Sequence, residues 1–173
     1  GLKPGECPEL WCVTHHAKVL DIAKSYVSAG ADMIKTNSFG GSRLKLNAYG
    51  LGNRVTEINR AAAAISREAA GPARTVLASM GPSGKMLLMG DITEQELYAA
   101  FKEQAQALEA GGADALLIES MSALDETCIA IKAARENTKL EIISTLTFER
   151  TLKGDYRTMM GVTPATMAPV CLQ

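Results

Sequence analysis

GADMIKTNSFGGSRLKLNAYG, residues 30–50, begins as a buried strand and changes character within a few residues. Residues 32–36 read as the strand, and Thr36, Asn37 and Ser38 end it in polar side chains before the Gly40–Gly41 turn. The same opening returns at residues 112–120 as GADALLIES, again an apolar run with a polar end. Working outward from these two segments, residues 16–29 carry apolar side chains at helical spacing, with Gly30 placed to stop the helix. A second helical pattern covers residues 55–70 and is closed by Gly71 and Pro72, and residues 75–80 form the next strand.

Thr93 and Glu96 make a capping box, which predicts a helix over residues 94–110 with Leu97, Phe101, Ala105 and Leu108 as its buried stripe. Residues 113–119 are a strand. Ser122 with Asp125 repeats the capping signal before a helix to about residue 136, and residues 140–148 close the series as a fourth strand. Strands that alternate with helices and are nearly continuous apolar runs indicate parallel pairing with both faces buried. The fold class is α/β. The spacing of the two GAD segments, two strand-helix periods apart, suits a (β/α) barrel better than a doubly wound sheet. A closed barrel has about eight strands and about 250 residues, so the expectation is a partial barrel of about four βα units.

Composition narrows the partners. The 173 residues are 47% hydrophobic and 21% charged, with a formal net charge of -1 and both signs interspersed, so there is no basic patch for nucleic acid or anionic lipid. No apolar run approaches the ~18 residues of a membrane span, and GLKPGECPEL lacks a signal-peptide core, so a cytoplasmic location is expected. Cys7, Cys12, Cys128 and Cys171 are too irregularly spaced for a disulfide framework, and reduced thiols are the default. The start at Gly1 and the end at Cys171, Leu172 and Gln173, inside an apolar segment without a helix stop signal, suggest a piece of something longer.

In parallel α/β folds, ligands bind at the carboxyl ends of the strands. Thr36-Asn37-Ser38, Ser79-Met80-Gly81-Pro82, Glu119-Ser120 and Thr147-Phe148 all fall at that edge. Turn residues there also satisfy local backbone groups, and Gly40–Gly41 fits neither a GxGxxG nor a Walker pattern. Glu119 is sharper: a carboxylate directly after Ala-Leu-Leu-Ile needs a cation or donors. A ligand amino group is one candidate, and an ion pair with Lys35 or Arg43 is the other. Cys7 and Cys12 followed by His15 and His16 invite a zinc reading, but C-x4-C-x2-H-H is not a usual structural arrangement. Met80, Met86 and Met89 read as gap-filling residues.

Taken together, GADMIKTNSFGGSRLKLNAYGL, EINRAAAAISREAAG, ASMGPSG and GADALLIESMSALDE resemble the amino-terminal half of the homocysteine S-methyltransferase family. The likeness is strongest to the homocysteine-binding domains of cobalamin-dependent methionine synthases. The resemblance implies that residues 1–173 form roughly strands 2 to 5 of a (β/α)8 TIM barrel that holds homocysteine at its strand ends. It also implies a zinc ion, which would deprotonate the substrate thiol, and a methyl donor such as methylcobalamin on a corrinoid-carrying domain or protein.

By position, Glu119 matches the family glutamate that takes the amino group of homocysteine, and Asn37 and Phe39 match the pocket positions of its T-N-T-F motif. Thr36, Ser120, Thr147 and Phe148 complete the implied substrate-binding set. The family's first strand and its zinc cysteines have no counterpart among residues 1–173, so no catalytic residue or metal ligand is assigned here, and the chain alone is expected to be inactive. Lys35 stands where many relatives carry glutamate. Two alternatives stay open: a corrinoid-dependent methyltransferase with another donor or acceptor, and a non-catalytic barrel fragment whose unpaired sheet edges assemble with another chain into an oligomer.

Overall fold

The computed structural model describes residues 1–172; Gln173, at the apolar end of the chain, lies outside them. Four parallel strands, β1 (Met33–Lys35), β2 (Thr75–Met80), β3 (Ala115–Met121) and β4 (Glu141–Leu146), pair in simple sequence order. Helices α2 (His16–Ser28), α4 (Val55–Ala70), α5 (Glu94–Ala110) and α6 (Leu124–Asn137) alternate with them and pack side by side. A doubly wound sheet reverses its strand order partway; this one does not, as a barrel arc requires. Short helices α1 (Trp11–Thr14) and α3 (Arg43–Asn47) flank the first strand, and α7 (Pro164–Cys171) packs on α6. Among the described residues, no helix is long and apolar enough to cross a membrane.

Side-chain alternation divides the strands into two faces. The register aligns Lys35 with Leu77, Leu77 with Ala115, and Ala115 with Glu141. Even-numbered residues therefore share the helix-covered face, where Ile34, Val76, Ala78, Met80, Leu116 and Ile118 are buried against Phe101, Leu97 and Leu108 of α5. The odd-numbered residues share the other face. There Met33 and Ile143 are exposed on the two edge strands, so the expectation of strands buried on both faces holds for β2 and β3 but not for β1 and β4.

The recurrent GAD segment is a helix stop joined to a strand start. Gly30 and Gly112 both have positive φ, 92° and 96°. In each case the glycine N–H donates to the carbonyl three residues back, and the following alanine N–H donates to the carbonyl five residues back, Tyr26 or Leu108. This is the Schellman arrangement, which needs a left-handed residue at its centre. The second aspartate then anchors the strand entry: Asp114 accepts from the Val76 N–H at 2.7 Å and pairs with Arg67, whose guanidinium also donates to the carbonyls of Gly71, Gly112 and Arg74. The segment that identifies the architecture therefore belongs to the amino edge of the sheet, opposite the carboxyl edge.

The Thr93–Glu96 capping box forms as expected, with Glu96 N–H donating to Thr93 Oγ1 and Thr93 N–H to Glu96. The second capping signal does not. The N-cap of α6 is Ala123, one residue past Ser122, and its methyl group offers no acceptor; Glu126 accepts the Ser83 N–H at 2.7 Å in the Gly-Pro-Ser-Gly turn. The strand expected over residues 140–148 ends at Leu146, and a hairpin of β5 (Glu149–Arg150) and β6 (Tyr156–Arg157) follows it.

The amino-terminal segment docks through its thiols. Cys12 is 1% exposed and donates to the Asn37 carbonyl, while Cys7 donates to Glu9. Burial pushes the Cys12 thiol up to about 12. It is therefore protonated at neutral pH, and alkylation by iodoacetamide in the folded protein is expected to be at least about a hundredfold slower than for free cysteine; rapid labelling would show that this segment opens. Gly112→Ala is expected to lower stability by about 1–2 kcal/mol through the left-handed backbone, read as a lower urea midpoint. Gly112→Asn is expected to recover part of the loss, and an unmoved midpoint for alanine would refute the Schellman requirement.

Candidate functional site

The carboxyl edge of β1 and β2 is locked by a directed ring of hydrogen bonds. Ser79 N–H donates to Thr36 Oγ1 at 2.9 Å, and Ser38 Oγ donates to the Ser79 carbonyl at 2.7 Å. Because both of those roles are taken, the 2.5 Å contact between the two hydroxyls must run from Thr36 to Ser38. All three residues are buried. Beneath them the fully buried Gln104 of α5 donates to the Ser38 carbonyl, and Asn59 of α4 donates to the Gly41 carbonyl. Gly40 N–H is held by Glu9 at 2.7 Å. The Gly40–Gly41 turn is thus fastened by the protein's own polar groups, and its Gly40 donor already faces a carboxylate.

One strand further, β3 carries a bulge. Ile118 pairs with Ser144 but Met121 pairs with Leu146, so β3 has one residue more than β4 across this interval. Ser120 absorbs it with a φ of 59°, an unusual value for a non-glycine residue. The bulge sits directly after Glu119, on the open face. Ser79 Oγ donates to Glu119 Oε1 at 2.5 Å, and Lys35 Nζ donates to Oε2 at 2.7 Å. Of the two partners left open for Glu119, the structure selects Lys35; Arg43 pairs instead with Glu103 of α5. The lysine side chain is 53% exposed and the glutamate 14%, so solvent screens this pair, and exposed pairs of this kind contribute about 0–1 kcal/mol.

Lys35, Thr36, Asn37, Ser38, Phe39, Ser79, Glu119 and Ser120 line an open cavity of about 330 Å3. A larger groove of about 890 Å3 lies among α3, α4 and α5 on the helical side and shares no residue with it. The polar strand ends favour the smaller cavity, since the groove holds none of them.

Five of the residues expected to bind substrate therefore meet: Thr36, Asn37, Phe39, Glu119 and Ser120. Their free valences differ from the expectation. Asn37 Nδ2 donates to the Pro8 carbonyl and to Cys12, so its amide tethers the amino-terminal segment. The Thr36 hydroxyl is closed into the ring. Phe39 is 41% exposed and lines the cavity, with its ring packed close to Gly81. Thr147 and Phe148 do not line the cavity: Thr147 N–H extends the β3–β4 ladder to the Met121 carbonyl, and Phe148 packs on the main core. Ser79 and Lys35, the two groups that hold the glutamate, come from neighbouring strands. Their parity on the open face was available from strand register, whereas the Ser120 bulge had no signal in residue type.

The cysteine and histidine cluster separates. Cys7 faces Glu9 and Cys12 faces Asn37, whereas His15 stacks on Trp11 and His16 approaches Glu68 at 3.6 Å. Among the described residues, no group of three His, Cys, Asp or Glu side chains could hold a metal ion.

Comparison with known proteins agrees with the geometry. The chain is 31% identical over 135 residues to methionine synthase of Mycobacterium tuberculosis, covering 75% of this chain and 11% of that protein. It is 30% identical to methionine synthase of Mycobacterium leprae with the same coverage. The metallated form of the homocysteine methyltransferase MmuM from Escherichia coli superposes with a TM-score of 0.82 at 18% identity, over 99% of this chain and 65% of that one. Its apo form gives 0.74 at 16% identity, over 97% and 62%. The chain thus spans about a tenth of the curated relatives and under two thirds of the solved structures, and at these identities the structural likeness establishes the fold: a partial (β/α) barrel. The homocysteine S-methyltransferase family model matches residues 2–172, nearly the whole chain, and the chain belongs to that family.

Proposed function

We propose that this chain supplies the amino-acid-holding wall of a methyltransferase that converts homocysteine to methionine. The observation that carries the reading is the Glu119 carboxylate, fixed by Ser79 at one oxygen and already occupied by an ammonium at the other. The same oxygen suits the α-ammonium of an amino acid, which would hold the ligand by a charge-assisted hydrogen bond. Phe39 at the mouth gives the ligand's methylenes an apolar surface. Binding of this kind orients the substrate; it leaves the thiol, with a pKa near 8.5, mostly protonated at neutral pH.

In this reading the sulfur is activated by zinc, and a corrinoid-carrying domain or protein brings the methyl group. The described residues do not fit a zinc ion, since none of their acidic, cysteine or histidine side chains form a three-ligand group. Such an ion would be held by other residues. Lys35 favours one second reading, a corrinoid-dependent methyltransferase for a different acceptor, because it changes the charge beside Glu119.

Glu119→Gln keeps the shape and the Ser79 partner but removes the charge. Losing a charge-assisted hydrogen bond costs about 1.5–3 kcal/mol, so the homocysteine dissociation constant, measured by calorimetry, is expected to rise by about tenfold to a hundredfold. In a full-length enzyme that contains this chain, the KM for homocysteine in methyl transfer from methylcobalamin is expected to rise with it. Unchanged binding by the variant, or turnover of another acceptor in preference to homocysteine, would overturn the assignment.

A further inference from the structure

We propose that Lys35 is a specificity-determining residue that makes this cavity demand a ligand carrying both an ammonium and a carboxylate. The inference rests on the reading of Glu119 as the acceptor of a ligand's amino group. It adds a role for the lysine, which that reading leaves only as an occupant.

The two halves of the pair are unequally fixed. Glu119 is 14% exposed, sits beside the Ser120 bulge and is bonded to Ser79, whereas Lys35 is 53% exposed and uses one of its three ammonium donors, on Glu119 alone among the described residues. A long flexible stem and a screened pair make the lysine the half that moves. Among the described residues, Glu119 and Lys35 are also the only charged ones lining the cavity, so its walls are neutral as a pair.

Charge conservation then sets the ligand class. An incoming ammonium that takes Glu119 Oε2 displaces the Lys35 ammonium but leaves it nearby. If the ligand is an α-amino acid, its carboxylate is bonded to the same carbon as the amino group and lies within reach of the displaced lysine. One ion pair becomes two, with charges alternating in sign. An aminothiol without a carboxylate would instead leave two cations sharing one carboxylate. A mercapto acid without an amine would set a second carboxylate beside Glu119, two anions sharing the one ammonium of Lys35, an unfavourable arrangement next to a mostly buried carboxylate.

The test compares three probes on the intact protein by calorimetry: homocysteine, its decarboxylated analogue homocysteamine, and its deaminated analogue γ-mercaptobutyrate. The wild type is expected to bind homocysteine at least about tenfold more tightly than either analogue, the size of one charge-assisted hydrogen bond. Lys35→Met is expected to weaken homocysteine about tenfold while leaving homocysteamine unchanged or tighter, so that the preference between those two collapses. Lys35→Arg, which keeps the cation, is expected to retain the preference. Circular dichroism identical to wild type confirms that the exposed substitution leaves the fold intact. If Lys35→Met binds homocysteine as well as or better than wild type, the lysine merely covers Glu119 and the inference falls, while the amino-group reading survives. If Glu119→Gln leaves homocysteine binding unchanged, the amino-group reading falls and this inference with it.

Discussion

The hydrogen-bond ring of Thr36, Ser38 and Ser79 is the constraint on which the site depends. It joins the ends of β1 and β2 by both backbone and side-chain groups, and every donor in it has one acceptor. Buried networks of this kind are stabilising only when fully satisfied. Its consequences extend in two directions. Below it, Gln104 and Asn59 tie the same turn to α5 and α4, so the helices that build the core also set the height of the strand ends. Across it, Ser79 is held by its backbone in the ring and has its hydroxyl free to turn toward Glu119 on the next strand.

Much of this was readable from residue order because the relevant forces are local. The limits of α4, β2 and α5 follow from helical spacing, a capping box and glycine stops, all set by residues within a few positions of each other. The GAD repeat was readable for the same reason: a Schellman cap needs one glycine and a strand start, and the sequence shows both twice. What was not readable came from partners distant in sequence. Ser122 and Asp125 have the right spacing for a cap, yet the helix begins one residue later at an alanine N-cap, and its Glu126 accepts from Ser83, 43 residues away. Asn37 has the residue type of a ligand-binding amide, yet Pro8 and Cys12 take its donors. Thr147 and Phe148 share the carboxyl edge but belong to the ladder and the core.

Burial of the open face grades with position in the four-stranded arc. β2 and β3 have neighbours on both sides and bury Ala115, Leu117 and Ser79 on the open face, while β1 and β4 leave Met33, Ile143 and Thr145 exposed there. The charged side chains at the carboxyl end follow the same gradient. Glu119 lies on an inner strand and is mostly covered; Lys35 lies on an outer strand and is mostly solvated.

That gradient explains how a rigid frame can present an exchangeable charge. A carboxylate buried without a partner would be costly, and the ammonium of Lys35 removes the cost in the absence of ligand. Because the lysine is solvated, releasing it returns its head to water rather than to an apolar interior, and the pair resists displacement only weakly. A fully buried cation in the same place would hold Glu119 too firmly for a ligand to replace it, since breaking a buried pair leaves an uncompensated charge. In the proposed exchange, the change of partner rests on the solvation of Lys35, and the geometry on the hydroxyls of Thr36 and Ser38 and the backbone N–H and carbonyl of Ser79.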